Sequence, residues 1–181
     1  HDGTVRRWSV DTLTPYGEPL RGHDGPVLAL ATVAGPDGGE LLVSGGGDGT
    51  VRLWDPGSDG PARTVLTGHT APIRSLCPLS GPDARQLLAS GDMNGVVRLW
   101  DPVEGVAVGA PIVGHAGPVL ALASPRPRVL AVAGVDGTVA CWDVVTRTGV
   151  GTRFTAHVSV IRAMCAVSPW LASAALARTV L

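Results

Sequence analysis

The sequence predicts an all-β protein assembled from repeated four-stranded antiparallel meanders. Three observations predict it. Gly-His and Trp-Asp recur in order at a step in the forties. Short runs of β-branched and aliphatic residues alternate with clusters of Gly, Pro and Asp, the pattern of short strands and tight turns. Each recurring unit carries four such runs.

The step is regular. Trp8, Trp54, Trp100 and Trp142 stand 46, 46 and 42 residues apart, and His23, His69, His115 and His157 keep the same intervals. Arg52-Leu53-Trp54-Asp55 returns as Arg98-Leu99-Trp100-Asp101 and, altered, as Ala140-Cys141-Trp142-Asp143, while an earlier copy ends in Arg7-Trp8-Ser9. In the best-preserved unit the four runs are residues 16–21, 27–33, 41–45 and 50–55. Gly-rich links separate them, and the last pair is joined through Asp48-Gly49. Asp-Gly suits a tight hairpin because a primed turn needs positive φ. The same dipeptide stands at Asp2-Gly3 and Asp136-Gly137, with Asn94-Gly95 as an equally good turn former.

The Gly-His dipeptide and the stretches Gly25-Pro26-Val27-Leu28-Ala29-Leu30 and Asp48-Gly49-Thr50-Val51-Arg52-Leu53-Trp54-Asp55 resemble the WD-repeat β-propeller family. The resemblance extends over essentially the whole chain and implies blades of four strands, a to d from the centre outward. It also implies a repeat that runs d-a-b-c, so that the outer strand of one repeat completes the preceding blade. On this reading residues 1–181 form one propeller segment of about four blades. Its repeats are 1–11 (strand c only), 12–55, 56–101, 102–143 and a truncated, degenerate 144–181. The strands then number seventeen, one more than a closed ring of four blades would use. The expectation is an incomplete ring, part of a larger one of about seven blades, because ring closure is what removes sheet edges. An open arc leaves apolar blade faces in water, which predicts poor solubility for the isolated chain.

The resemblance also implies a structural tetrad. His23, from the d–a loop, would bond Asp48 in the b–c turn, and Ser44 would link the histidine to the indole N–H of Trp54. The next unit has His69, Ser90 and Trp100, with Asn94 in place of the acid. The unit after it keeps His115, Asp136 and Trp142, but Val132 replaces the hydroxyl. The last has His157 and Ser173, with Ala177 at the acid position. A Ser-His-Asp set invites comparison with a catalytic triad. A catalytic constellation is needed once, however, whereas this set is written out repeatedly. Neutral Asn94 and hydroxyl-free Val132 would end any such chemistry yet leave folding possible. The expectation is therefore a buried polar network that satisfies groups cut off from water, with no catalytic role.

Other chemistry finds little support. Cys77, Cys141 and Cys165 lack metal-ligand spacing, so no metal site is expected, and an odd, scattered set fits core thiols in a reducing, cytoplasmic setting. Residues 45–49 lack the Gly-Lys-Ser/Thr ending of a phosphate loop, and no cofactor is expected. The chain is only 16% charged with a formal net charge of −1, and its fourteen basic residues, all arginine, form no run, which argues against a nucleic-acid partner. No stretch approaches the roughly 18 apolar residues of a membrane span, and no signal segment is visible.

Strand a carries a second period. Residues 25–31 return identically as 117–123, whereas the intervening units read Ile73-Arg74-Ser75-Leu76-Cys77 and Ile161-Arg162-Ala163-Met164-Cys165. Similarity thus skips one unit, as duplication of a two-repeat module would produce. The position five after the repeat histidine reads Leu28, Arg74, Leu120, Arg162. Strand a begins at the face where the d–a and b–c loops emerge, the family's usual binding surface. These four residues are candidates for a partner-binding rim, with the arginines suited to carboxylate or phosphate. The function expected is a non-catalytic scaffold that binds a protein or peptide on its rim loops. The alternative is a propeller that regulates or targets a catalytic module, a kinase or NTPase, elsewhere on a longer chain.

Overall fold

The computed structural model describes residues 2–82, 85–113, 115–168 and 170–175. Among these residues there is no α-helix, and every sheet is antiparallel. The chain starts with β1 (Thr4–Val5) and β2 (Leu20–Arg21), which pair with each other. A four-stranded sheet follows, β3 (Val27–Ala34), β4 (Glu40–Gly46), β5 (Val51–Trp54) and β6 (Thr64–Leu66), in that spatial order. The next sheet contains β7 (Ile73–Ser80), β8 (Gln86–Asp92), β9 (Val96–Asp101), β10 (Val106–Ala107) and β11 (Ile112–Val113). Both β10 and β11 pair with β9, at its two ends. A third full meander comprises β12 (Val119–Arg126), β13 (Val129–Gly134), β14 (Thr138–Asp143) and β15 (Phe154–Thr155). The last described sheet is the pair β16 (Ile161–Val167) and β17 (Trp170–Ala175).

The repeat and the blade are out of phase. Thr64–Leu66 lies just before His69 in sequence, yet it is the outer strand beside Val51–Trp54 of the sheet before. Leu20–Arg21 bears the same relation to Thr4–Val5, and Phe154–Thr155 to Thr138–Asp143. The outer strands are shorter than the sequence suggested. Only Leu20 and Arg21 of residues 16–21 form strand, because Gly17 adopts φ +64° and Tyr16 N–H instead bonds Arg7 O at 2.9 Å. Among the described residues no strand pairing joins the first sheet to the last, so the blades form an arc without a closing pair. The third strand expected of the last blade, the truncated strand c, falls at residues outside those described.

Apolar side chains between neighbouring blades make the core. Val43, Val51, Leu53 and Leu66 of one blade pack with Ile73, Leu88 and Trp100 of the next. Leu79, Leu87, Val97 and Leu99 then meet Val119, Leu122, Leu130 and Val132. Full burial of such a side chain contributes about 1.5–3 kcal/mol, so each interface is a substantial share of stability. The approach is close enough to exclude a methyl group: a Cβ at Gly45 would lie 2.7 Å from Ile73 Cγ2, and one at Gly91 2.4 Å from Val119 Cγ1. Among the described residues the last blade has no such cover on its outer face. Val167 is 69% exposed and Trp170 75%.

Candidate functional site: buried relays and the axial mouth

The polar residues that suggested a triad are brought together inside the blades. His23 Nε2 is 2.7 Å from Ser44 Oγ, and its Nδ1 is 3.1 Å from both oxygens of Asp48. Trp54 Nε1 donates to the same Ser44 Oγ at 2.8 Å. The protons can be assigned in one consistent way. The carboxylate only accepts, so His Nδ1 carries the hydrogen and Nε2 accepts from the serine hydroxyl, whose oxygen accepts from the indole. Every donor is satisfied with a neutral imidazole. Asp48 also accepts from the backbone N–H of Asp24 and Thr50 and from the Thr50 hydroxyl.

The charges fit that assignment. Burial pushes the His23 and His69 imidazoles down, against the pull of Asp48 and Asp92, so both rings favour the neutral form. Burial alone would raise Asp48, but its hydrogen bonds from Thr50, Asp24 and His23 outweigh that and hold its carboxyl below the ordinary value. Ser44 and Ser90 are fully buried. A serine that already accepts one donor and faces a neutral ring across a blade interior, out of reach of any substrate, has the geometry of a tie.

The second relay corrects the sequence reading. His69 Nδ1 meets Asp92 Oδ2 at 2.7 Å, not Asn94, and the other contacts repeat: His69 Nε2 to Ser90 Oγ 2.7 Å, Trp100 Nε1 to Ser90 Oγ 2.7 Å. Asp92 Oδ1 accepts from the backbone N–H of Asn94 and of Val96. Asn94 itself is exposed and supplies only that N–H. The acid has moved two residues back, to the place that Gly46 holds in the preceding blade. The reason is spatial: a Cβ at Gly46 would lie 2.3 Å from His23 Nδ1 and 2.4 Å from Asp48 Oδ1, so one site admits an acid from either position but not from both.

The third relay is broken, with Val132 buried at the hydroxyl position. His115 Nε2 stands 3.2 Å from Asp136 Oδ1, yet neither ring nitrogen has an aligned hydrogen-bond partner. Trp142 is only half-buried. In the last blade His157 Nε2 reaches Ser173 Oγ at 2.8 Å, and the Ala177 position lies outside the described residues. Burial pushes the Cys77 thiol up to about 11, as for a core residue. Among the described residues no group of three or more His, Cys, Asp or Glu is arranged to hold a metal ion.

The rim candidates share a feature that the sequence did not disclose. In each blade strand a carries a β-bulge at its start: Val27 pairs Gly46 and Ala29 pairs Gly45, which leaves Leu28 unpaired. The same shift isolates Arg74, Leu120 and Arg162 in turn. A bulge breaks the strict alternation of the strand and re-aims the side chain it frees. All four residues line one cavity of about 440 Å³ at the axial mouth, with Pro72, Met93, Pro118, Val135 and Val160 from the surrounding loops. They also border a smaller space of about 220 Å³ between the four inner strands. Recurrence of two residue types at one spacing after the histidine was visible in the sequence, but the bulge that turns them into one opening was not.

Consecutive four-stranded meanders packed face to face around an axis, with strand a innermost, define a β-propeller architecture. Residues 14–55, 60–101 and 109–143 match the family described as WD domain, G-beta repeat, about two thirds of the sequence. The chain belongs to that family, whose repeats in general serve as non-catalytic scaffolds for protein interaction. No curated protein matches it.

Proposed function

We propose that this chain is a non-catalytic interaction scaffold that receives a protein or peptide at the axial mouth. The observation that supports the reading most is the coincidence of four bulges at one opening. The fold brings leucine and arginine alternately to the same geometric position in successive blades, on a frame held by buried relays. Such a frame places recognition groups without moving them, which lowers the ordering cost of binding. The histidines, serines and aspartates serve the frame, so Asp48→Ala should lower stability without abolishing a turnover. Three free cysteines suit a reducing, cytoplasmic setting for this work.

The test is site-specific photo-crosslinking in the full chain. Benzoylphenylalanine at Met93 or Val135, both exposed at the mouth, should trap a partner polypeptide. The same probe at Val103, in the exposed loop at the opposite end of the blade, should not. Adducts confined to Val103 would refute the assignment of the binding face.

A further inference from the structure

Charge at the mouth is unbalanced in a way that specifies a ligand. Arg6, Arg7, Arg63, Arg85, Arg128 and Arg153 each face a carboxylate elsewhere in the molecule. Among the described residues Arg74 and Arg162 face no carboxylate, which is also true of Arg21, Arg52, Arg98 and Arg126, but Arg74 and Arg162 are the ones that line the mouth. Neither the mouth nor the space beneath it is lined by any Asp or Glu. Two arginines therefore line one opening that has no carboxylate among its described lining residues. Between them stands Leu120, and Leu28, Met93 and Val135 make the remaining wall apolar. A uniformly basic groove would suit a polyanion such as nucleic acid. This opening alternates cation and aliphatic group blade by blade, which suits a ligand that alternates likewise.

We propose that the mouth recognises an acidic peptide segment in which carboxylate side chains are interleaved with aliphatic ones. The carboxylates pair with Arg74 and Arg162, and an aliphatic side chain lies against Leu28 and Leu120. The inference rests on the scaffold reading and names the chemistry of its partner. Arginine presents a planar fork that binds a carboxylate through two hydrogen bonds, stronger where flanking apolar groups exclude water. The bulges fix where each side chain leaves its strand.

Fluorescence anisotropy with the full chain and a labelled hexapeptide of alternating glutamate and leucine tests this. Saturable binding is expected, lost when glutamine replaces glutamate. Arg74→Leu and Arg162→Leu should each weaken binding about tenfold, the scale of a truncated charge-assisted contact. Arg21→Leu, exposed on an outer strand, should leave binding unchanged. Arg74→Lys, which keeps the charge and the stem, serves as the second variant if Arg74→Leu fails to fold, and a several-fold loss is expected from the missing fork. Equal binding of the glutamine peptide, or equal loss from Arg21→Leu, would overturn the proposal. No saturable binding of the glutamate peptide would also overturn it. The scaffold reading would survive any of these results if mouth crosslinks still form, and would fall with them if they do not.

Discussion

His69 Nδ1 lies 2.7 Å from Asp92 Oδ2, although the register of the repeats aligns its acid with Asn94. One buried imidazole can thus be held from either of two backbone positions. Asp92→Ala should cost about 1–3 kcal/mol, the penalty for a buried donor left unpaired, and Asn94→Ala less than about 0.5 kcal/mol. Chemical denaturation of the two variants decides between the positions, and equal losses would place the tie elsewhere.

The same pair of positions gives a test by transplant. Gly46→Asp alone should destabilise, because the new side chain collides with Asp48 and adds a second carboxylate beside it. Combined with Asp48→Asn, which copies the arrangement of the next blade, most of that loss should return. The difference between the double variant and the sum of the singles should reach about 1 kcal/mol or more in a double-mutant cycle, as expected for groups in contact.

Stability should depend on pH in a defined direction. Burial favours neutral His23, His69 and His115 in the folded state, so the unfolded chain, with imidazoles near 6.5, binds protons more tightly. Their contribution is complete above about pH 6.5 and is lost as pH falls below it. Asp48 and Asp136, held below 3.8, add a second loss at more acid pH, as protons bind through that value. Denaturation midpoints at pH 7.5, 6 and 5 should fall in that order. A midpoint that is flat from 7.5 to 5 would contradict the neutral assignment.

The broken relay invites repair. Val132 is buried at the register position that Ser44 and Ser90 hold in their blades, and the ring nitrogens of His115 lack hydrogen-bond partners. A hydroxyl there would find an acceptor, so Val132→Ser should change stability by less than about 1 kcal/mol. Val43→Ser, in a comparable apolar interface but away from the relay position, should cost about 2–4 kcal/mol. Similar losses at both sites would show that the third blade cannot re-form the relay.

The repeat step and the four runs per unit were legible, because strand period and turn residues are local properties of a sequence. The phase shift between repeat and blade was legible only as what the family resemblance implied. The Trp54–Ser44–His23–Asp48 order was legible only through the family resemblance. The move from Asn94 to Asp92 was not. Aligning repeats equates positions, whereas the buried site equates volumes, and two residues along a turn can reach the same volume. The bulges at Leu28, Arg74, Leu120 and Arg162 were hidden for a related reason, since register between strands depends on the partner strand. Even the Gly of Gly-His gains a cause only in three dimensions: a Cβ at Gly22 would lie 2.7 Å from Arg52 Nη1, and one at Gly68 3.2 Å from Arg98 Cζ.

The turn glycines show how a local signal can carry a second, non-local requirement. Gly49, Gly95 and Gly137 all have positive φ, which a hairpin turn explains by itself. Each also sits against the neighbouring blade. A Cβ at Gly95 would lie 2.6 Å from His115 O and 2.8 Å from Gly117 O, backbone atoms that cannot step aside. Gly38 has a similar φ of +78° in a loop with nothing within 4 Å. Gly38→Ala therefore isolates the dihedral cost, about 1–2 kcal/mol. Gly95→Ala should lose that and the blade contact as well, at least about 3 kcal/mol together. Thermal melts of the two variants should separate them clearly. Equal losses would mean that the turn alone demands glycine and that the blades tolerate a wider spacing.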